Sequence, residues 1–298
     1  MAAIIIDGKK IADGIRREVA ESAQRLKAEQ GIVPGLAFIL VGENPASQSY
    51  VKSKGKACKE LGFYSITEQV SASISEAELL SMIYAFNRDP DVHGILVQLP
   101  LPKHINEQNV IEAISPDKDV DGFHPISIGR MLLGVETLLP CTPAGIWELL
   151  RRSELNPSGK HVVVLGRSNI VGKPIANILL QKREWCNAIV TIAHTAAPDL
   201  GVYARQADIL IVAIGKPRSI GASMVKPGAT VIDVGINRVP DSSKKSGYRV
   251  VGDVDYDAVK EIAGAITPVP GGVGPMTIAM LMVNTLKSAH RVGKLPKQ

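Results

Sequence analysis

Tyr50 and Lys54 stand four residues apart in a helical pattern, so a phenol and an amine share one helix face. Lys52 and Lys56 lie round on the other side of that helix. A lysine near a phenol and among like charges can have its proton affinity lowered enough to exchange protons near neutral pH, which is general acid/base chemistry. The same spacing recurs at Tyr256 and Lys260, where ordinary surface chemistry accounts for it, so the pair alone is not diagnostic. Gln98 follows the apolar run 94–97 and opens Gln98-Leu-Pro-Leu-Pro102, whose prolines hold its amide at the carboxyl end of a buried parallel strand. Asp117, Asp119 and Asp121 followed by Gly122 imitate the opening of an EF-hand calcium loop. Ile128 occupies the place of that loop's bidentate Glu and the flanking helix signals are poor, so calcium binding fails. Turn duty suffices for Asp117 and Asp119, while the Asp121 carboxylate suits an aminopyrimidine N–H pair. The six histidines show no H-x-x-x-H spacing and no Ser-His-Asp order is evident, so no metal site is expected.

A second group of residues presents backbone instead of side chains. Pro268-Val-Pro-Gly-Gly-Val-Gly-Pro-Met-Thr277 follows the short apolar run Ala265-Ile266 and precedes a helical pattern over 278–289. It reads as strand, rigid turn and helix N-terminus, where unpaired N–H groups favour a polar or anionic ligand. Val162-Val-Val-Leu165 runs directly into Gly166-Arg-Ser-Asn-Ile-Val-Gly172-Lys-Pro174 and a helix, the place of a phosphate turn in a dinucleotide-binding sheet. Its glycines stand six apart, a poor match to G-x-G-x-x-G. The next strand ends at Ala193-His194-Thr195 with no Asp or Glu for a ribose 2′-hydroxyl. Arg167, with Ser168 and Thr195 nearby, suits a 2′-phosphate instead, which argues for NADP. Gly215-Lys-Pro217 and Asp233-Val-Gly-Ile-Asn237 supply further backbone on the same sheet edge.

The elements that must position these residues form two series. Helices are expected over 10–30, 46–61 and 75–87, with Ser75 and Glu78 as a capping box, and strands over 36–41, 64–70 and 94–97. That β-α-β-α-β pattern implies a parallel sheet. A helix over 106–113 follows, then irregular sequence over 115–125. Thr142 is expected to cap a helix running to about Arg152, with Pro143 in its first turn. Strands over 161–165, 189–193, 209–214 and 230–234, alternating with helices over 172–182 and 199–206, read as a doubly wound nucleotide-binding sheet. The chain has 298 residues and 45% hydrophobic content, enough for about two domains. A net charge of +5, with short basic groups such as Lys244-Lys245, suits an anionic small molecule, and 4% aromatic content does not support nucleic-acid stacking. Cys58, Cys141 and Cys186 form no C-x-x-C pair, and the apolar N-terminal stretch ends at Asp7, so a cytoplasmic protein with no membrane segment is expected.

Taken in order, Tyr50-x-x-x-Lys54, Gln98-Leu-Pro-Leu-Pro102, Lys118-Asp-Val-Asp121-Gly-Phe123, Gly166-Arg-Ser168, Asp233-Val-Gly-Ile-Asn237 and the 268–277 stretch closely resemble the bifunctional methylenetetrahydrofolate dehydrogenase/methenyltetrahydrofolate cyclohydrolase family across almost the whole chain. The resemblance implies an α/β protein of two domains with a cleft between them, acting as a homodimer on tetrahydrofolate derivatives in one-carbon metabolism and purine biosynthesis. A β-α-β parallel-sheet catalytic domain that binds folate is expected over 1–139 plus 277–298, and a Rossmann-like NADP-binding domain over 140–276. By resemblance, Lys54 is the catalytic acid/base, Tyr50 packs along the folate, Gln98 tunes and orients Lys54, and Asp121 grips the pterin. Gly166, Arg167, Ser168, Thr195 and Ile236 line the NADP site. Members often carry Lys or Arg shortly after the Ser/Thr of the second Rossmann strand, whereas Ala196 and Ala197 stand here, which leaves Arg167 to carry the 2′-phosphate alone. A short-chain dehydrogenase also uses Tyr-x-x-x-Lys, but there the pair follows the nucleotide turn. A catalytically silent NADP- or folate-binding regulator is the alternative of a different class. Sequence leaves open the balance of the two activities, the dimer interface and the isomers of the Leu99–Pro100 and Val269–Pro270 bonds.

Overall fold

A computed structural model describes residues 3–244 and 247–293; Lys245 and the outermost ends of the expected domains, 1–2 and 294–298, lie outside them. In chain order the first half carries β1 (Ile4–Ile5), α1 (Gly8–Gln30), β2 (Gly35–Val41), α2 (Pro45–Glu60), β3 (Tyr64–Val70), α3 (Glu76–Arg88), β4 (Gly94–Val97), α4 (Glu107–Ala113) and α5 (Pro125–Leu132). The second half carries α6 (Cys141–Arg152), β5 (His161–Leu165), α7 (Gly172–Leu179), β6 (Ile189–Ala193), α8 (Gly201–Ala204), β7 (Ile209–Val212), β8 (Thr230–Asp233), β9 (Asn237–Pro240), β10 (Tyr248–Val251), α9 (Tyr256–Val259), β11 (Ala265–Ile266) and α10 (Val273–Gly293).

The chain divides into two compact units. One comprises Asp13–Cys141 with Ile278–Gln298 and holds a three-stranded sheet of order β3-β2-β4, parallel throughout. Every residue of the central strand β2 is buried, as a strand covered on both faces requires. Its core joins Ala37, Ile39, Leu79, Ile83, Ile95 and Val110. α3 starts at the expected capping box, Ser75 accepting from the Glu78 N–H while the Glu78 carboxylate accepts from the Ser75 N–H.

The other unit comprises Met1–Ala12 with Thr142–Thr277. Its six-stranded sheet has the order β1-β11-β8-β7-β5-β6, parallel throughout. β5 is flanked by β6 on one side and β7 on the other, so the strand order reverses there, the switch point at which ligands of such sheets bind.

The division differs from the one expected along the chain. Residues up to Ala12 group with the nucleotide-type unit because β1 pairs with β11, Ile4 opposite Ala265 and Ile5 opposite Ile266. α10 begins at Val273, inside the glycine-rich stretch, and not at 278. Pro275 is tolerated there because first-turn N–H groups have no intrahelical partner to lose. Thr142 is no cap either: α6 already runs from Cys141, and the Thr142 hydroxyl meets that of Thr277 at 2.9 Å. α5, a helix not expected from the sequence, begins at Pro125 where the irregular stretch ends, capped by His124 Nδ1, which accepts from the Ile126 N–H. α7 and α8 end earlier than the periodicity suggests, and the antiparallel pair β9–β10 carries no strong signal in the sequence. The repeated Tyr256 and Lys260 pair sits at a four-residue helix, with Lys260 bound to Asp257 at 3.0 Å, as surface chemistry would have it.

Candidate active site

α2 buries Val51, Lys54 and Cys58, spaced three and four apart on one stripe. A lysine in that stripe is out of place energetically, since a buried ammonium is costly unless it is hydrogen-bonded. Lys54 is only 8% exposed, and its Nζ donates to Gln98 Oε1 at 3.1 Å. Gln98 is rigid in turn. Its N–H continues the β4 ladder onto the Ile39 carbonyl at 2.9 Å, and its Nε2 donates to the Leu99 carbonyl at 2.8 Å. With Nε2 so engaged, Oε1 is left to accept from the ammonium. Tyr50, one turn before Lys54, is half-exposed on the same helix. The Leu99–Pro100 peptide following Gln98 is cis.

Asp121 lies close enough to Lys54 for their charges to interact. Burial pushes its carboxyl above the usual carboxylate range, against the pull of the Lys54 ammonium. Its carboxylate accepts no hydrogen bond from a described residue, which leaves its acceptors for a ligand. The loop that carries it is pinned from both sides. Buried Asp119 accepts from the N–H groups of Gly122, Phe123 and His124 at 3.1, 3.2 and 2.8 Å, so it performs turn duty as expected. From α10, the amide of buried Asn284 donates to the Val120 and Leu139 carbonyls, both at 2.8 Å. Gly122 has φ +75°, and a Cβ there would crowd the Leu139–Pro140 peptide, so only glycine lets Asp121 sit at this turn. Burial drives the neighbouring Cys141 thiol well up, and its Sγ donates to the Val120 carbonyl at 3.2 Å, so it is no nucleophile. Among the described residues no cluster of His, Cys, Asp and Glu could hold a metal.

In the other unit, β5 ends at Leu165 and the chain turns at Gly166, whose φ is +127°. A Cβ at Gly166 would overlap the Ala213 carbonyl, and one at Gly172 would overlap the Gly166 carbonyl, so both glycines serve close backbone approach. Close approach of this kind is what the glycines of the standard fingerprint provide, here with a different spacing. Ser168 Oγ accepts from the N–H groups of Val171 and Gly172 at 3.1 and 3.3 Å, which leaves its own proton free to donate. Leu165 pairs with Ala193, so Arg167 and Thr195 each stand two residues past matched strand ends, and both are exposed. Arg167 makes no ion pair among the described residues. Ile236 follows β8, two strands from β5 and therefore about 10 Å along the sheet edge, a span suited to an extended dinucleotide. It borders a hollow of about 200 Å³ lined by residues 233–236 and 268–275, the two backbone-rich stretches singled out in the sequence. The residues therefore fit a dinucleotide: close-approach glycines at the switch point, a free hydroxyl proton and an unpaired guanidinium.

Residues 6–121 match the family model of the tetrahydrofolate dehydrogenase/cyclohydrolase catalytic domain, and residues 140–293 match that of the tetrahydrofolate dehydrogenase/cyclohydrolase NAD(P)-binding domain. The chain belongs to the tetrahydrofolate dehydrogenase/cyclohydrolase family. It is a bifunctional enzyme of that family with a nicotinamide-dinucleotide domain. A "Bifunctional protein FolD" of Syntrophus aciditrophicus is 59% identical over 290 residues, covering 97% of this chain and 98% of that protein. Among solved structures, the bifunctional FolD of Campylobacter jejuni superposes with a TM-score of 0.92 at 50% identity, over 97% of this chain and 99% of that one. A FolD of Trypanosoma brucei, complexed with NADP cofactor and inhibitor, gives 0.94 at 39% identity, over 99% and 100%.

Within this member of the tetrahydrofolate dehydrogenase/cyclohydrolase family, Lys54, Gln98 and Asp121 gather at the carboxyl ends of the small sheet's strands and the helix beside them. Gly166, Arg167, Ser168, Thr195 and Ile236 gather along the carboxyl edge of the larger sheet. Sequence reasoning missed Asn284. An asparagine in the apolar stretch Met280-Leu-Met-Val-Asn284 is a visible anomaly, but its partners lie more than a hundred residues away.

Proposed function

We propose that this chain oxidises 5,10-methylenetetrahydrofolate to the 5,10-methenyl form with NADP and then hydrolyses it to 10-formyltetrahydrofolate, as part of one-carbon metabolism that feeds purine biosynthesis. The observation that carries the reading is the buried ammonium of Lys54 held by Gln98 beside the unsatisfied carboxylate of Asp121. Asp121 accepts from the aminopyrimidine N–H pair of the pterin, a charge-assisted contact that fixes the ring. Tyr50, half-exposed one turn away, packs along the folate. NADP, when bound, supplies the acceptor for the hydride that leaves the one-carbon bridge. That step forms a delocalised cation and needs positioning more than a base.

Hydrolysis does need proton transfers. Water adds to the methenyl carbon, and one C–N bond then breaks as its nitrogen gains a proton. Lys54 exchanges these protons, and Gln98 aims it by accepting one of its three N–H donors. Gly166 and Ser168 hold the pyrophosphate by backbone and hydroxyl, Arg167 takes the 2′-phosphate with Thr195 beside it, and Ile236 packs against the nicotinamide half. The resemblance further supports a cytoplasmic homodimer; no helix among the described residues is long and apolar enough to cross a membrane.

A spectrophotometric assay with methylenetetrahydrofolate and NADP tests the reading. Reduced NADP and then 10-formyltetrahydrofolate are the expected products. Folded, cofactor-saturated protein that forms no methenyl product would favour a silent folate- or NADP-binding regulator instead.

A further inference from the structure

Asp253 is a fully buried carboxylate whose oxygens are all engaged within the nucleotide-type unit. Its Oδ2 accepts from two successive backbone N–H groups, those of Ile214 and Gly215, both at 2.8 Å. Its Oδ1 accepts from the Asn237 side-chain amide at 2.8 Å. Asp253 is placed by Asp233, which ends β8 and accepts from the N–H groups of Gly235 and Asp253 on one oxygen and of Val254 on the other, at 2.9, 3.0 and 3.0 Å. The backbone closes tightly round both carboxylates. A Cβ at Gly252 would overlap the Asp233 carboxylate, and one at Gly235 would overlap that of Asp253.

This relay ties the end of β8 to the end of β7, the edge on which Gly215 and Ile236 stand. A trans peptide points its N–H and C=O in opposite directions. With the Ile214 N–H fixed on Asp253, the Ala213 carbonyl is directed away from it, toward Gly166, where only glycine leaves it room. With the Gly215 N–H fixed on the same oxygen, the Ile214 carbonyl faces away from the buried network and accepts no hydrogen bond from a described residue.

We propose that Asp253 is a positioning residue for the nicotinamide half of the dinucleotide site. By locking the peptides on either side of Ile214, it presents the Ile214 carbonyl to a hydrogen-bond donor of that half, a ribose hydroxyl or the carboxamide amine. The inference rests on the NADP reading above and adds to it a residue that does not touch the cofactor. At the phosphate end the Gly166 N–H donates to the Ala193 carbonyl and Ser168 Oγ accepts from Val171 and Gly172, bonds that do not involve Asp253, so its loss affects one half of the cofactor.

Calorimetric titration of the full chain with NADP and, separately, with 2′,5′-ADP tests this. Asp253→Ala is expected to weaken NADP at least tenfold while leaving 2′,5′-ADP within twofold of the parent. Asp253→Asn is expected to restore NADP to within about threefold. Its oxygen can still take the two N–H groups, and its NH2 can meet the Asn237 oxygen once that amide flips. Unchanged NADP affinity in Asp253→Ala overturns the proposal, and so does equal weakening of both ligands, which would make Asp253 a support of the whole unit. If Asp253→Ala does not fold, Asn237→Ala decides, with a smaller loss confined to NADP expected and a loss shared with 2′,5′-ADP contradicting it. A parent chain that binds neither ligand would overturn the site reading itself, and this inference with it.

Discussion

Lys54→Met separates the two chemical steps. Methionine is close to lysine in length and cannot exchange a proton. Loss of a general acid/base costs roughly 10²–10⁴-fold, or about 3–5.5 kcal/mol of barrier. Hydrolysis of methenyltetrahydrofolate is therefore expected to fall by at least a hundredfold, read as the decay of the methenyl chromophore. The dehydrogenase kcat is expected to fall far less, because hydride departure needs no base. The fold should survive. The bond from Nζ to Gln98 Oε1, 3.1 Å long and partly buried, is worth about 1.5–3 kcal/mol as a charged hydrogen bond, and relief from burying an ammonium offsets much of it. A secondary effect follows at Asp121, which loses the cation that favours its ionised form, so methenyl substrate should bind more weakly to the variant as pH falls. Folded variant that hydrolyses methenyltetrahydrofolate within tenfold of the parent would refute the role given to Lys54.

Four further outcomes are expected. Arg167→Ala should raise the KM for NADP by about 10- to 100-fold with little change for NAD, since a guanidinium–phosphate bond is worth about 1.5–3 kcal/mol; equal effects on both cofactors would contradict that role. Gly166→Ala forces a side chain onto φ +127° and into the Ala213 carbonyl, so a loss of at least about 1–3 kcal/mol in denaturant titration, with weak NADP binding, is expected. Asp121→Asn should raise the folate KM at least tenfold. Because burial raises the Asp121 pKa, its contribution to stability is present below its unfolded value and lost as pH rises through its folded one, so the variant should gain on the parent in urea midpoint between acid and neutral pH. Asp233, pushed from 3.8 to about 6 by burial and by the neighbouring Asp253, acts in the same sense between those values, with roughly 3 kcal/mol at stake, and an Asp233→Asn stability difference that does not change from pH 4 to 7 would contradict it.

Much of the molecule is legible in the chain because buried parallel strands leave a local mark. Gly94-Ile-Leu-Val97 and His161-Val-Val-Val-Leu165 are apolar, β-branched runs bounded by turn formers, and both strands fall where the sequence places them. β9 and β10 do not have that mark, since apart from buried Val251 their residues alternate between exposed and intermediate and their pairing is with each other alone. The start of α10 was hidden because glycine and proline signal a turn, and only the freedom of first-turn N–H groups lets a helix begin there. Lys54 was visible by type and spacing, but its burial on a stripe with Val51 and Cys58, and its bond to Gln98, needed the fold. The carboxylate relay through Asp233 and Asp253 was not readable at all. Asp233 closes β8 and Asp253 follows β10, each placed as any turn residue is, and the relay to Ile214 and Gly215 forms only when β7 pairs with β8 and the β9–β10 hairpin folds back.

A crystal structure with a tetrahydrofolate analogue bound, measured at Lys54, tests the role of its ammonium most directly. The aminopyrimidine is expected on the Asp121 carboxylate and the Lys54 nitrogen within reach of the bridging carbon, directly or through one water. A pterin held elsewhere, or an ammonium turned away from that carbon with Gln98 still its partner, would contradict it.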